Sequence, residues 1–232
     1  TDSGTNWKIL QSELRGKIYS ASFIDSLTAW FVGYNTKLIK TSDGGNSFEV
    51  IDPGIGETYY DIKFLNKNIG WAVGDSGLIV KTTNGGNSWF SLSFSTSNQL
   101  EKIIYLDTNN IYIYARWDYS QPGFVIKSSD DGNNWNVVVS NLYSNDLHVF
   151  DSLKWRDTDY DLVRETLDGG KTWQILWENS SYGYLGKINF IDEFNGYMLT
   201  GSWSILKTVN GGIDWAHDVS LDFYPYDLEF VD

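Results

Sequence analysis

The side chains able to do chemistry in this chain are few, and their spacing assembles no reaction centre. Hydrolysis of a glycosidic bond needs two carboxyl groups facing each other across a sugar. The carboxyls in connecting segments that could supply them are Asp118, Asp159, Asp161 and Glu178, and their neighbours single out none as acid or nucleophile. The run Asp157-Thr158-Asp159-Tyr160-Asp161 imitates the start of a calcium loop, with alternate carboxylates able to converge on a hard cation. It has Leu162 where the loop needs a glycine and no glutamate at the twelfth position, so it is read as a solvated acidic turn. Cysteine is absent, and only His148 and His217 could offer imidazole to a metal. No Gly-x-Ser-x-Gly elbow occurs, and the Gly-Gly pairs follow strands instead of opening helices. These readings assign no catalytic residue, no metal ligand and no cofactor.

Binding chemistry is better represented. The longest connecting segment, Ala115-Arg116-Trp117-Asp118-Tyr119-Ser120-Gln121-Pro122-Gly123, combines a cation, a carboxylate and two aromatic rings. Tyr182, Tyr184 and Trp203 lie in further connections of the same kind. Tyrosine and tryptophan offer rigid, amphipathic contact area, which suits either stacking on sugars or anchoring a protein partner. The candidate partner-binding residues are therefore Arg116, Trp117, Asp118, Tyr119, Tyr182, Tyr184 and Trp203. The competing reading is that these rings complete the packing of an all-β core.

The elements that must position these segments follow from an internal repeat. The pattern Ser/Thr-x-Asp/Asn-x-Gly-x-x-aromatic occurs at Thr41/Asp43/Gly45/Phe48, Thr82/Asn84/Gly86/Trp89, Ser128/Asp130/Gly132/Trp135, Thr166/Asp168/Gly170/Trp173 and Thr208/Asn210/Gly212/Trp215. A sixth copy without its first residue stands at Asp2/Gly4/Trp7. Spacings of 38 to 46 residues suit four short strands with their turns. Before each complete box lies a short apolar or alternating segment such as Leu78-Ile79-Val80-Lys81, a third strand. Before that comes a run such as Gly70-Trp71-Ala72-Val73-Gly74, a second strand. First strands end in phrases such as Phe64-Leu65-Asn66. The fourth unit departs from this pattern, with Lys154-Trp155-Arg156 where the others are apolar.

Radial repetition of four-stranded antiparallel sheets is the β-propeller architecture, an all-β fold in which neighbouring blades bury each other's apolar faces. The whole chain, 1–232, is read as one propeller domain with repeat units at about 17–53, 58–94, 99–140, 145–177 and 184–220. That makes five complete blades, flanked by lone terminal strands at 6–11 and 224–232. Because those two strands lack the pair that would join them, the chain is expected to be a fragment of a longer propeller. A six-membered arrangement with one incomplete blade is the next reading. Unladdered strand edges also predict self-association through the termini. In the boxes, the short polar side chain of Asp2, Asp43, Asn84, Asp130, Asp168 or Asn210 is expected to accept turn N–H groups, a structural duty.

Composition agrees with this architecture and narrows the partners. The sequence holds 11 Trp, 15 Tyr, 12 Phe and 22 Gly against 3 Pro and 1 Met, a strand-and-turn composition. A formal net charge of -13 repels nucleic acid and anionic lipid surfaces. No apolar run approaches a membrane span, and the opening Thr1-Asp2-Ser3-Gly4 has the features of no signal peptide, so the chain is read as soluble and processed.

The box resembles the bacterial neuraminidase (BNR) or Asp-box repeat. The longer phrase Gly-Trp-Ala-Val-Gly, followed by Lys-Thr-Thr-Asn-Gly-Gly-Asn-Ser-Trp, resembles the photosystem II stability and assembly factor family and its non-photosynthetic bacterial relatives. Asp boxes also occur in sialidases, xyloglucan-cleaving enzymes and sortilin-like receptors, so the likeness is specific for fold and broad for role. A sialidase would resemble an arginine triad beside a tyrosine nucleophile, and the four arginines here, with no Arg-Ile-Pro segment, do not match it. The resemblance implies a non-catalytic binding or assembly-scaffold propeller, exported or at the surface of a bacterium, that holds a protein partner on its loop face. The alternative is a glycan-binding propeller or an Asp-box glycoside hydrolase using the same face.

Overall fold

The structure, a computed structural model, describes residues 17–33, 37–53, 58–92, 94–107, 109–222 and 227–228. Among them run five four-stranded antiparallel sheets, each a meander in chain order. The first is β1 (Ile18–Phe23), β2 (Ala29–Gly33), β3 (Leu38–Thr41) and β4 (Glu49–Ile51). The second is β5 (Tyr59–Phe64), β6 (Gly70–Gly74), β7 (Ile79–Thr82) and β8 (Phe90–Ser91). The third is β9 (Leu100–Tyr105), β10 (Ile111–Ala115), β11 (Gly123–Ser128) and β12 (Asn136–Leu142). The fourth is β13 (Asp146–Val149), β14 (Trp155–Asp159), β15 (Leu162–Thr166) and β16 (Gln174–Glu178), and the fifth β17 (Leu185–Phe190), β18 (Gly196–Thr200), β19 (Ser204–Thr208) and β20 (Ala216–Ser220). Helix is confined, among the described residues, to one turn at Asp75–Gly77. These are the blades of an all-β propeller fold. The sixth box and the terminal strand at 6–11 lie outside the described residues, as does all of 224–232 except Asp227 and Leu228.

The chain divides into two compact units, residues 1–95 with the first two blades and 96–232 with the other three. The second strands are largely buried in each unit; β2, β6 and β10 read accordingly as apolar runs, whereas β14 buries Arg156, Asp157 and Thr158. Every residue of β6 and of β10 is buried, whereas every residue of the outermost strand β20 is exposed. In the first unit the core gathers Trp30, Val32, Tyr59, Ile62 and Val80 across the two blades. In the second, one cluster joins Tyr112, Val139, Leu147 and Trp155, and another joins Val163, Ile188, Phe190, Met198 and Trp215.

Each complete box closes the turn between third and fourth strands with the same hydrogen bonds. In the fourth blade the Thr166 hydroxyl accepts the Gly170 N–H at 2.9 Å and donates to Asp168 at 2.8 Å. The Asp168 carboxylate accepts the N–H groups of Lys171 and Thr172 and the Thr172 hydroxyl. Those bonds hold the Asp168 carboxyl at about 2, the Thr172 N–H contributing most. Asp43 and Asp130 are held the same way, and Asn84 and Asn210 keep the backbone bond with a neutral amide. The glycine is required at Gly86, whose φ is +84°: a Cβ there would lie 2.1 Å from the ring of Trp30 in the preceding blade.

Polar side chains of the first and second strands lace neighbouring blades together within each unit. The Ser20 hydroxyl donates to Asp61 at 2.6 Å, and the Thr158 hydroxyl to the Gly186 carbonyl at 2.7 Å. Asn189 donates to the Leu228 carbonyl at 3.2 Å, 39 positions on, continuing the series.

One expectation is overturned in the fourth blade. Asp157 is not part of a solvated acidic turn; it is fully buried within β14. Its carboxylate takes a two-pronged contact from Arg164, at 3.0 and 2.6 Å, and the Ser144 hydroxyl. The strand tolerates the charge because its partners on β15 and in the segment before β13 satisfy it, which spacing along the chain does not reveal.

Candidate functional site

The connections between second and third strands, and between each fourth strand and the next first strand, lie at one end of the blades. In the second unit they carry two aromatic groups. The first is built on the β10–β11 connection. Buried Asn98 clamps both stems of this loop, its amide donating to the carbonyls of Arg116 at 3.0 Å and Pro122 at 3.1 Å. At the tip, the Asp118 carboxylate accepts the N–H groups of Ser120 and Gln121 and the Ser120 hydroxyl. The Ser120 bonds draw its pKa below the usual carboxylate range, so Asp118 is fixed in its own turn as an anion. The tight hairpin leaves Tyr119 fully exposed. Half-buried Trp117 stands between two rings, 6.0 Å from Tyr119 edge-on and 6.1 Å from half-exposed Tyr143. The Trp117 indole N–H is covered and has no hydrogen-bond partner within the protein.

The second group spans the connection before β17 and the β18–β19 turn. Buried Asn179 organises it, accepting the N–H groups of Ser181 and Tyr182 at 3.0 Å each and donating to the Gly183 carbonyl. Tyr182 turns inward, packing on the Val163–Leu185 cluster and stacking with His217 at 6.4 Å. Tyr184 lies over Gly201, where a Cβ would approach its ring to 2.5 Å, and keeps an exposed face. Trp203, 49% exposed, adopts φ +61°, and Tyr160 at the tip of the β14–β15 turn, 71% exposed, adopts φ +47°. Left-handed backbone is ordinary for glycine or asparagine and costly for a bulky aromatic residue. Both rings sit at equivalent second-to-third-strand turns and are exposed.

Beneath these loops an ion network crosses the first strands of all three blades. Lys102 on β9 grips both oxygens of buried Asp146 on β13 at 2.9 and 3.0 Å, and the Leu147 carbonyl. Asp146 also accepts the Ile188 N–H of β17. Burial pushes the Asp146 carboxyl up, but Lys102 and Lys187 outweigh it and hold it below its ordinary value. Lys187 reaches Glu101 at 3.5 Å, and Glu101 meets Arg116 at the base of the aromatic loop, also at 3.5 Å. Arg164 bridges Asp157 and Asp159, while burial keeps the Asp157 carboxyl above its usual range against the pull of that guanidinium. With its carboxylates matched to cations, the network suits positioning better than proton transfer.

The structure thus brings Arg116, Trp117, Asp118 and Tyr119 together on one loop, and Tyr182, Tyr184 and Trp203 together at another. Tyr143 and Tyr160 join them, and the network residues Lys102, Asp146 and Lys187 lie outside the sequence-derived set. A long-range signal was present only as charged residues in strands that are otherwise apolar. Among the described residues no group of three or more His, Cys, Asp or Glu side chains could hold a metal ion. No helix among them is long and apolar enough to cross a membrane.

Five blades closed by these boxes define an Asp-box β-propeller. Within that class the chain resembles the photosystem II assembly factor family: the sequence profile described as "Photosynthesis system II assembly factor YCF48" matches residues 46–144. Among curated proteins no sequence matches it. Among solved structures it is similar to YCF48 bound to D1 peptide, with 21% identity, a TM-score of 0.72, and coverage of 89% of this chain and 69% of that one. It is also similar to YCF48 from Cyanidioschyzon merolae, with 14% identity, a TM-score of 0.64, and coverage of 91% and 88%. An ancestral GH74 enzyme shares 15% identity at a TM-score of 0.69, but only 32% of that enzyme's chain is covered.

Proposed function

We propose that this propeller is a non-catalytic binding module of the assembly-scaffold kind, recognising an extended protein segment at the loop end of its second unit. The observation that carries this reading is the pair of exposed aromatic groups, Trp117–Tyr119–Tyr143 and Tyr160–Tyr184–Trp203, set on loops rigidified by Asn98 and Asn179. Such rings contribute large contact area at small entropic cost, as hot-spot anchors do. A solved relative with the same fold binds a peptide, which supports a protein partner over a sugar. The glycoside hydrolase alternative loses two of its four carboxyls, since Asp118 is held in its turn and Asp159 is paired with Arg164. We propose in addition, from the sequence resemblance alone, an exported bacterial protein that works outside the cytoplasm.

The test is affinity selection from a random peptide library, followed by titration of the selected peptide against Trp117→Ala and Trp203→Ala. Each change is expected to weaken binding by about 2 kcal/mol, roughly thirtyfold, with little change in melting temperature. Turnover of a polysaccharide panel, lost in Asp118→Ala or Glu178→Ala, would refute the non-catalytic reading.

A further inference from the structure

The repeats supply an internal comparison of the opposite end of the blades, where the first-to-second-strand turns meet the box turns. Each first-to-second-strand turn is built alike: an Asp or Asn accepts the next two N–H groups but one, as Asp107 does from Asn109 and Asn110 and Asp192 from Phe194 and Asn195. The residue two places after that acceptor is Leu27, Asn68, Asn109, Leu153 and Phe194 in the five blades. The second position of the box is Ser42, Thr83, Ser129, Leu167 and Val209, and the sixth is Asn46, Asn87, Asn133, Lys171 and Ile213. The same turns form with polar residues in the second and third blades, so turn chemistry does not require Leu153, Leu167, Phe194, Val209 or Ile213.

Those five side chains are also exposed, each between 56% and 65%. Backbone hydrogen bonds and an ion pair tie the turns that carry them together at one end of the two blades. The Gly169 N–H donates to the Leu153 carbonyl and the Gly211 N–H to the Phe194 carbonyl, each at 2.9 Å, joining box to hairpin in both blades. Lys154 pairs with Glu193 at 3.0 Å, and Arg156 donates to the Glu193 carbonyl at 2.9 Å, joining blade four to blade five. Among the described residues of these turns, Asp151, Asp168, Asp192, Glu193 and Asp214 flank the apolar side chains, with Lys154 and Lys171 as the cations. Backbone hydrogen bonds keep Asp151 and Asp168 acidic, and the amide and backbone of Asn195 do the same for Asp192, so the rim remains anionic.

We propose that this end of blades four and five is a second docking surface, and that its occupant is a protein segment presenting apolar side chains flanked by lysines or arginines. Charge complementarity selects that occupant: an anionic membrane or a second copy of a chain with net charge -13 would bring like charge to the rim. With the loop end engaged elsewhere, the propeller would hold two partners on opposite ends of the same blades.

The experiment replaces the apolar residues with those the sister blades carry at the same positions: Leu153→Asn, Leu167→Ser, Phe194→Asn and Val209→Thr together. The probes are a short amphipathic peptide of leucine and lysine, and its leucine-to-serine counterpart of equal charge. The wild type is expected to bind the leucine peptide at least about tenfold more tightly than the serine peptide, a margin the fourfold variant loses while its melting temperature holds. Trp117→Ala should leave that margin untouched, which separates this surface from the loop end. Equal binding of the two peptides, or a margin kept in the fourfold variant, overturns the proposal. So does misfolding of both the fourfold variant and the milder Leu167→Ser/Val209→Thr pair, which would make these residues structural. Sedimentation showing wild-type dimers that the variant lacks overturns it in favour of a second copy, and variant-sensitive binding to anionic vesicles in favour of a membrane.

Discussion

Acidification should weaken this protein well above the carboxylate range, and the cause is a single imidazole. His148 on β13 accepts the Phe190 N–H at Nδ1, 3.4 Å away, and its ring packs 4.6 Å from Phe150 and 5.5 Å from Phe190. A proton on Nδ1 would face that N–H. Burial lowers the pKa most, and Lys102 and, more weakly, Arg156 add repulsion. Asp146 and Asn189 pull the other way, leaving the imidazole at about 4 against an ordinary 6.5. The unfolded chain therefore takes up a proton from about pH 6.5 downward while the native state resists until near 4, and the stability held at neutral pH drains away across that window. Between about pH 7.5 and about pH 4.5 the loss amounts to about 2.5 kcal/mol, or about 5–10 °C in melting temperature for a chain of this size. The comparison is His148→Asn, whose side-chain oxygen can take the place of Nδ1 and cannot titrate. Urea unfolding of both proteins at the two pH values measures the difference. Parallel losses in wild type and variant would refute the assignment to His148.

Three further predictions concern the scaffold. Thr166→Val deletes the hydroxyl that accepts the Gly170 N–H in a buried turn, and should cost about 1–3 kcal/mol in urea unfolding; Asp168→Ala should lower the melting temperature as well, with peptide binding at the loop end unchanged in both. Arg156→Ala leaves Glu165, its partner at 3.0 Å, buried without its cation and strips the guanidinium from the faces of Phe150 and Phe190, so a loss of about 3 kcal/mol or more is expected by the same measurement, where an exposed pair would show less than about 1 kcal/mol.

The blades were legible because two local rules recur together. The box supplies its own hydroxyl, carboxylate or amide and glycine within five residues, and buried second strands such as Gly70–Gly74 must be apolar on both faces. The loop segment around Trp117 was legible for a similar reason, since rings in a connection stand out against polar turn residues. What stayed hidden depends on partners far along the chain. Lys102 meets Asp146 44 residues on, and Lys187 meets Glu101 86 residues away, so neither pair leaves a local pattern. Asp157 looked like one of several carboxylates in an acidic turn because its neutralising partner, Arg164, comes from the next strand over. The left-handed backbone of Tyr160 and Trp203 was equally invisible, because sequence pattern assigns that conformation to glycine and asparagine.

The box turn separates the residues that shape the backbone from those that decorate it. Hydroxyl, acid or amide, and glycine hold one loop geometry five times, while the second and sixth positions carry Ser, Thr, Leu, Val, Asn, Lys or Ile on it. For protein engineering this makes the blade ends a ready grid of display sites. The five side chains at the second position can be randomised there with the hydrogen bonds of the turn left in place, whereas Asn46 and Asn133 at the sixth position donate to the carbonyls of Asp43 and Asp130 and are kept.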